Sequence, residues 1–335
     1  MTAMSATQDI HPWVREWHGR VGFGLEVFPI ETRDEPTRAL LAAGDLAETL
    51  GFDSFWFGDH PAWGLDCWLH MAAVAVRTKR MRLGVNVACA LYRHPVLTAR
   101  LAADLDNLSD GRLILGLGIG WDENEFDNLG LRFPPVPERQ AALEEAIAII
   151  RGVWGDEPFS YEGAHFRTRN AQVKPAPRQQ PGPPILIAGG GERVTLRQVA
   201  HLADAAQLGM FGNMSGDGTV ETVGHKLAVL DRHLATAGRS SDAVLRTHFT
   251  GWLILAEDEE RLDAKVRRMI PEGIEQRFSG GWDGYAVAAT PEQAVAMYRS
   301  LVTAGIEYFV VTTLDASDTE TIRLLAERVI PSVAS

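Results

Sequence analysis

The chain has 335 residues, of which 46% are hydrophobic, so it can bury a large core as one α/β barrel or as two smaller domains. Its 32 Lys and Arg residues and 44 Asp and Glu residues give a formal net charge of -12. This charge excludes the basic surface of a typical nucleic-acid-binding protein and favours a small-molecule partner.

Residues 1–19 mix charged side chains, histidines and single apolar residues. They therefore match neither a signal peptide nor a membrane span of about 20 apolar residues. We interpret them as an N-terminal extension that precedes a single domain over residues 20–335. Cys67 and Cys89 fit neither a disulfide framework nor a zinc-ligand spacing, which favours a reducing, cytoplasmic compartment.

Short apolar, β-branched runs alternate with longer helical patterns after residue 20. Strands are predicted at 21–27, 53–58, 82–88, 112–118, 184–189, 205–210, 245–256 and 307–313. Helices are predicted at 36–50, 66–78, 94–108, 137–154, 192–202, 218–237, 259–270, 291–304 and 318–330. Alternation of this kind implies parallel strands, and eight units are the number in a (β/α)8 TIM barrel, whereas a doubly wound sheet usually stops at five or six.

Three stretches exceed what a minimal barrel needs. They follow the fourth strand (119–136), precede the fifth (155–183) and surround the seventh helix (257–289). We interpret them as insertions in one domain, because no change in composition suggests a linker. The basic run at 167–178 precedes a strand, so we interpret it as a solvated hairpin at the end of the barrel away from the active site.

Loops after strands matter most, since active sites in this fold lie at the carboxyl ends of the strands. The second predicted strand ends in Asp59 and His60. Histidine titrates near neutral pH and can donate or accept a proton, so both residues are candidate catalytic groups, although a histidine in a loop is often structural. We predict that Phe28, Trp63, Trp68 and Trp121 line the substrate pocket, although such residues could equally form core.

Two further strand ends carry candidate binding residues. Asn86, Val87 and Ala88 end the third strand, and Cys89 after them is interpreted as a packing residue. The fourth strand reads LGLGIGW, and its alternating glycines, including Gly118 and Gly120, are expected to clear space for a flat ligand or for a neighbouring strand. No helix opens at these glycines, so the dinucleotide-binding fingerprint is incomplete.

The fifth strand runs into three glycines in the segment ILIAGGGERVTLRQVAHLADA. Backbone N–H groups at a helix N-terminus attract phosphate, and the missing Cβ atoms allow close approach. We therefore predict a phosphate site at Gly189, Gly190 and Gly191, with Arg193 adding a positive charge. A tight turn alone would need only one glycine.

These motifs in this order resemble the bacterial luciferase-like monooxygenase superfamily, most closely its branch of coenzyme F420-dependent oxidoreductases. The resemblance extends over about residues 20–330 and implies a TIM barrel that holds a flavin or deazaflavin in its mouth. It implies a cofactor phosphate on Gly190 and Gly191, a ring backed by a bulge with a non-prolyl cis peptide at Asn86-Val87, and His60 beside the reactive edge. The sugar-phosphate dehydrogenases of this branch carry a glutamate where this chain has Trp121, which argues against sugar-phosphate oxidation.

The resemblance favours F420 as the cofactor and hydride transfer to or from a small apolar or aromatic substrate. The alternative is an FMN-dependent monooxygenase that uses reduced FMN and O2, because reduced FMN can activate oxygen and a deazaflavin essentially cannot. Arg193, Arg267, Arg268 and Arg277 are candidates to meet the acidic tail of F420. A lyase or isomerase that grips a phosphorylated substrate and a non-catalytic flavin-binding protein stay open. We expect no metal, nucleic-acid or membrane partner, and a homodimer is one assembly that the sequence allows.

Overall fold

The computed structural model describes residues 10–27, 35–209, 219–270 and 286–334. Its strands are β1 (Gly22–Val27), β2 (Ser54–Phe57), β3 (Arg82–Cys89), β4 (Leu113–Gly118), β5 (Phe159–Glu162), β6 (Arg167–Ala171), β7 (Ile185–Ala188), β8 (Ala205–Gly209), β9 (Leu245–Leu255), β10 (Ala286–Ala289) and β11 (Tyr308–Thr313). Eight of them form a closed parallel barrel in the order β1-β2-β3-β4-β7-β8-β9-β11. The predicted TIM barrel is confirmed, and each predicted strand corresponds to one barrel strand.

Helices follow the barrel strands along the chain. They are α1 (Pro12–Trp17), α2 (Pro36–Leu50), α3 (Cys67–Arg77), α4 (Pro95–Leu108), α5 (Glu123–Asn128), α6 (Val136–Val153), α7 (Thr195–Leu202), α8 (Val220–Thr236), α9 (Glu259–Met269), α10 (Pro291–Thr303), α11 (Thr319–Leu324) and α12 (Ile330–Ala334). A short 3-10 turn at Ser241–Ala243 precedes β9, and a π-helical turn at Leu325–Val329 joins the last two helices. The predicted capping box between Thr290 and Gln293 is present at the start of α10.

The predicted insertions contain a hairpin (β5 and β6), a short helix (α5) and an added strand (β10). Strands β5 and β6 form an antiparallel hairpin that contains Arg167 and Arg169 of the basic run, as predicted. The carbonyl of Arg167 lies 3.1 Å from Nε2 of His94, in the loop between β3 and α4, so this part of the run lies beside the carboxyl end of β3 and not at the other end of the barrel, as we expected. Helix α5 follows β4, and β10 is a ninth parallel strand that pairs with the carboxyl-terminal part of β9. None of the three closes the barrel itself, so they are additions to a complete fold.

The interior of the barrel is packed around Trp56, which points inward from β2. Strands β1 and β3 have glycines beside it: a Cβ atom on Gly24 would lie 2.3 Å from Trp56 Nε1, and one on Gly84 would lie 1.9 Å from Trp56 Cε3. The two glycines are therefore needed so that one large indole can fill the barrel. The cavity described below lies beyond this indole, at the carboxyl ends of the strands.

Helix α1 closes the opposite, amino-terminal end of the barrel. Its Trp13 and Trp17 are buried and meet the ring of Tyr308 edge-on, with centroid distances of 5.7 and 5.3 Å. The hydroxyl of Tyr308 in turn lies 2.6 Å from Ser54 Oγ. Residues 10–19 therefore contribute to the core, and the functional site has to lie at the other end.

Candidate active site

A cavity of about 400 Å³ lies at the carboxyl ends of the barrel strands. Its described lining consists of Glu26, Asp59, His60, Asn86, Val87, Cys89, Tyr92, Gly118, Ile119, Gly120, Trp121, Val136, Arg139, Gln140, Ala188, Gly189, Thr195, Gln207 and Phe249. This is the size of a typical small-molecule site, with a mostly apolar wall and a few polar groups. The structure thus brings the predicted strand-end residues from β2, β3, β4 and β7 into one cavity.

His60 is bound on one side by a carboxylate that sequence reasoning missed. Its Nδ1 atom lies 2.9 Å from Oε2 of Glu125, which belongs to α5 and is fully buried. The same carboxylate accepts hydrogen bonds from the hydroxyl of Tyr92, at 2.7 Å, and from the backbone N–H of Ala62, at 3.3 Å. Glu125 therefore fixes the orientation of the His60 ring.

The electrostatics of this cluster keep Glu125 ionised. Burial by itself raises the pKa of the Glu125 carboxyl, but the hydrogen bonds from His60, Tyr92 and Ala62 and the charge of His60 outweigh burial and lower it. Burial and the hydrogen bond to Glu125 raise the pKa of the Tyr92 hydroxyl, so Tyr92 stays a donor. The cluster is thus a carboxylate that holds one histidine and one phenol.

Two tryptophans cover the histidine. The ring of Trp63 stacks on His60 at a centroid distance of 4.2 Å and an angle of 7°, and Trp63 Nε1 donates to Asp122. Trp121 meets Trp63 edge-on at 5.4 Å and is 40% exposed. The cavity is therefore aromatic on the side of His60.

Asp59 belongs to a different cluster from His60, although the two residues are adjacent in sequence. Its Oδ2 atom accepts a hydrogen bond from Arg93 at 2.6 Å, and Cys67 Sγ lies 3.4 Å from its Oδ1 atom. Asp59 is buried and lines the cavity, but its carboxylate is paired with Arg93. The partner of His60 is Glu125, not the neighbouring aspartate.

The end of β3 forms the predicted bulge. The Asn86-Val87 peptide bond is cis, and the register of β3 against β4 shifts between Val85 and Ala88. A Cβ atom on Gly118 would lie 2.6 Å from Val87 Cγ2, and one on Gly116 would lie 2.9 Å from Val87 Cγ1. The glycines of β4 therefore clear space for the Val87 side chain, which in turn lines the cavity; Ala88 is buried behind it.

The three glycines after β7 form a loop, and α7 begins later than the predicted residue 192. The helix starts at Thr195, whose hydroxyl accepts a hydrogen bond from Gln140 Nε2 at 3.1 Å. A Cβ atom on Gly191 would lie 2.8 Å from Thr195 Oγ1. Of these glycines only Gly189 lines the cavity, and Lys226 Nζ donates to the carbonyl of Gly190 at 2.6 Å. A Val-Thr start of the helix carries no strong capping signal, which explains the error in its boundary.

Arg139 is a second residue that sequence reasoning missed. It is 6% exposed, its Nε atom donates to the carbonyl of Pro134 at 2.9 Å, and it also donates to the carbonyl of Gly120. Its guanidinium lies 4.1 Å from the ring centre of Phe133, and burial lowers its pKa. Among the described residues it forms no ion pair with a carboxylate, so the cavity contains a buried cation without an anionic partner.

The remaining candidates are not brought into the cavity. Trp68 lies in the hydrophobic core at the start of α3, and Arg193 is exposed and does not line the cavity within the described part of the chain. Arg267 and Arg268 lie in the last turn of α9. Phe28 and Arg277 fall outside the described residues.

Metal-binding clusters and membrane-spanning helices are both absent from the described residues. These residues contain no group of three or more His, Cys, Asp or Glu side chains placed to hold a metal ion. Over the same ranges, no helix has both the length and the apolar character to cross a bilayer. Cys67 and Cys89 are buried free thiols, and burial raises the pKa of Cys89 to about 12.

Comparison with known proteins gives consistent matches. A family model described as luciferase-like monooxygenase matches residues 23–294. The F420-dependent glucose-6-phosphate dehydrogenase of Microbacterium testaceum (strain StLB037) is 28% identical over 322 residues, which cover 87% of this chain and 92% of that protein.

Solved structures share the same fold. An F420-dependent secondary alcohol dehydrogenase in complex with an F420-acetone adduct superposes with a TM-score of 0.79 at 19% identity, covering 94% of this chain and 100% of the other. The oxygenating constituent of 3,6-diketocamphane monooxygenase from Pseudomonas putida, in complex with FMN, has a TM-score of 0.75 at 18% identity, covering 93% and 98%. At sequence identities this low, the structural matches support the barrel fold only. They do not decide which cofactor the protein binds.

Proposed function

Because the chain belongs to the luciferase-like monooxygenase family, we propose that it transfers a hydride between coenzyme F420 and a small apolar or aromatic organic substrate at the carboxyl end of the barrel. Its relatives are F420-dependent dehydrogenases and luciferase-like monooxygenases, so the protein is an oxidoreductase and the lyase or isomerase alternative is not retained. The observation that carries the proposal is the cavity, which joins the Val87 bulge, the glycine loop and the His60-Glu125 pair.

Two features of the cavity fit a tricyclic ring of this kind. Gln207 is buried at 3% exposure and lines the cavity, and its side-chain Nε2 atom has no hydrogen-bond partner among the residues that the structure describes. A buried amide donor without a partner is costly, and a ring carbonyl would satisfy it. Val87, beside Asn86 and in front of Ala88, supplies an apolar surface against which a flat ring would rest.

The opposite end of the cavity fits a phosphate. Gly189, Gly190 and Gly191 keep side chains away from the loop, and the hydroxyl of Thr195 lies beside it. We assign the neutralising charge to Arg139, since a buried guanidinium gains most from an anionic ligand. Arg193, which the sequence suggested for this role, would act only from the exposed side of the loop.

His60 is the residue we propose for proton transfer. When Nδ1 of His60 donates its proton to Glu125, Nε2 is the ring nitrogen that exchanges a proton with the substrate: it accepts one from a hydroxyl or returns one to a carbonyl. The bound cofactor supplies the hydride acceptor or donor. Trp63 and Trp121 shield this proton transfer from water on the side of His60.

The substrate proposed here is apolar or aromatic. Trp121 occupies the position at which sugar-phosphate dehydrogenases of this branch carry a glutamate, and its ring forms an exposed apolar face with Trp63. The carboxylates near this face, Asp122 and Glu125, disfavour an anionic substrate. Small alcohols, aldehydes and ketones with aromatic or alicyclic groups fit these walls.

An FMN-dependent monooxygenase is the second candidate. One observation favours it: Arg193 does not line the cavity, and among the described residues Arg139 is the only Lys or Arg side chain that does. FMN ends at its phosphate and needs no further cation, whereas F420 continues into a tail of carboxylates that must pair or stay in water.

Single-turnover measurements separate the two candidates. The protein is mixed with reduced F420 and a panel of aromatic and alicyclic ketones without oxygen, and in parallel with reduced FMN and oxygen. We expect ketone-dependent oxidation of F420 under anaerobic conditions. Oxygen uptake coupled to substrate oxidation with FMN, and no reaction with F420, would reject the proposal in favour of the monooxygenase.

A further inference from the structure

Glu26 is a cavity residue that the proposed mechanism does not use. It lies near the end of β1, points into the mouth of the barrel and is 2% exposed. Its Oε2 atom accepts a hydrogen bond from Asn86 Nδ2 at 2.6 Å, so it holds the first residue of the bulge. Its Oε1 atom would lie 3.7 Å from a Cβ atom placed on Gly58.

Glu26 has hydrogen-bond donors beside it but no cationic partner among the described residues. No Lys, Arg or His in the described part of the chain forms an ion pair with it. The ionisable groups that share its cavity are already engaged or uncharged: Asp59 is paired with Arg93, His60 is bound by Glu125, and the Cys89 and Tyr92 pKa values are raised. Arg139, which belongs to α6, donates hydrogen bonds to the carbonyls of Pro134 and Gly120.

An isolated buried carboxylate is costly, and the usual response is to bind a proton. Burial raises the pKa of Glu26 to about 8, although hydrogen bonds from the side chains of Asn86 and of Thr312, its neighbour on β11, act in the opposite direction. At neutral pH the group is then a carboxylic acid with one O–H donor. Because Oε2 accepts the hydrogen bond from Asn86, we place the proton of the carboxylic acid on the other oxygen, Oε1.

We propose that Glu26 binds the cofactor as an uncharged carboxylic acid whose Oε1 hydroxyl donates a hydrogen bond to an acceptor atom of the ring. This inference rests on the proposed function, because it requires a ring with carbonyl or nitrogen acceptors in this cavity. It makes Glu26, together with the orphaned amide of Gln207, a ring-recognition residue. Ionisation of Glu26 removes the donor and places a carboxylate against the acceptor, so binding is lost at alkaline pH.

The first test is the pH dependence of cofactor binding, followed by fluorescence between pH 5.5 and 9.5. We expect the Kd of the wild-type protein to be flat below about pH 7 and to rise by up to about tenfold per pH unit above the pKa of Glu26. Glu26→Gln keeps an acceptor for Asn86 and a donor for the ring, so its Kd should stay within a few-fold of the wild-type value at pH 7 without the alkaline rise. Glu26→Leu should bind weakly throughout.

Two controls keep the result specific. Cys89→Ala removes another titratable group from the same cavity and should retain the alkaline rise, because the thiol is uncharged over this range. Any ionisation of the cofactor itself would appear equally in Glu26→Gln. The same alkaline rise in wild type and Glu26→Gln would therefore overturn the proposal.

A ligand-free measurement separates this inference from the choice of cofactor. Carbon-13 NMR of the protein labelled at the glutamate carboxyls should show one carboxyl that titrates with a midpoint near pH 8 and is missing from Glu26→Gln. If neither F420 nor FMN binds at any pH, the proposed function fails, and this titration still decides whether Glu26 is uncharged at neutral pH. A Glu26 signal that is ionised at pH 6 would overturn the inference whatever the cofactor.

Discussion

Glu125 lies 2.9 Å from the Nδ1 atom of His60, although 65 positions separate the two residues in sequence. Their contact joins the loop after β2 to a helix in the insertion after β4. The insertion is thus part of the site, because it supplies the carboxylate that orients the histidine.

The first prediction follows from this contact. His60→Ala and Glu125→Gln should each lower turnover by about 10² while leaving cofactor affinity within a few-fold, because one removes the proton-transfer group and the other its orientation. Glu123→Gln, on the exposed side of the same helix, is the matched control. The double variant should be about as slow as His60→Ala alone; fully additive losses in pre-steady-state rates would show that the two residues act separately.

The second prediction concerns the glycine loop. A side chain at position 191 would press on Thr195, since its Cβ atom would lie 2.8 Å from the hydroxyl oxygen. Gly191→Val should therefore weaken cofactor binding by about 2 kcal/mol or more with the fold intact, as measured by fluorescence titration and circular dichroism. Gly224→Ala is the control, because a Cβ atom there meets nothing within 4 Å. If the Gly191→Val protein folds and binds the cofactor with unchanged affinity, the assignment of the phosphate site to this loop is wrong.

The third prediction compares two arginines. Arg139→Met should weaken binding of F420 and of FMN by at least about tenfold, because both carry a phosphate and the buried guanidinium has no carboxylate partner among the described residues. Arg193→Met, which alters an exposed side chain, should change the affinity less than about threefold. Isothermal titration of both variants with both cofactors measures this difference, and the reverse order would return the role to Arg193.

The fourth prediction concerns stability and pH. Burial raises the pKa of Asp53 to about 6, although its carboxylate accepts a hydrogen bond from the N–H of Phe23 at 2.7 Å. Because the folded state binds this proton more tightly than the unfolded state, the contribution of Asp53 to stability is complete below about pH 4 and is lost as pH rises through 6.

Asp53→Asn removes this dependence. The free energy of unfolding of the variant, relative to wild type, should therefore increase between pH 4.5 and 7.5, by up to about 3 kcal/mol. Urea unfolding at several pH values measures the change. A difference between the two proteins that is constant over this range would contradict the raised pKa.

The barrel could be predicted from sequence because its strands are runs of mostly buried, apolar residues that alternate with helical patterns. The bulge and the glycine loop could be predicted because closely spaced glycines at strand ends indicate that another group packs against the backbone there. In β4 that group is the side chain of Val87. Glu125 could not be found in this way, because it lies in a run of mostly exposed polar and acidic residues and is buried, together with the adjacent Phe126, only in the folded structure. Arg139 shares this difficulty, since its position in a helix with polar neighbours gives no sign of the cavity beside it.

The central claim is that the cavity binds F420 in preference to FMN, and parallel fluorescence titrations with the two cofactors test it most directly. We predict at least about tenfold tighter binding of F420, equivalent to about 1.4 kcal/mol, and a preference that shrinks with added salt as contacts to the exposed acidic tail are screened. Tighter binding of FMN, with oxygen consumption when the complex is reduced, would contradict the account and assign the protein to the monooxygenases.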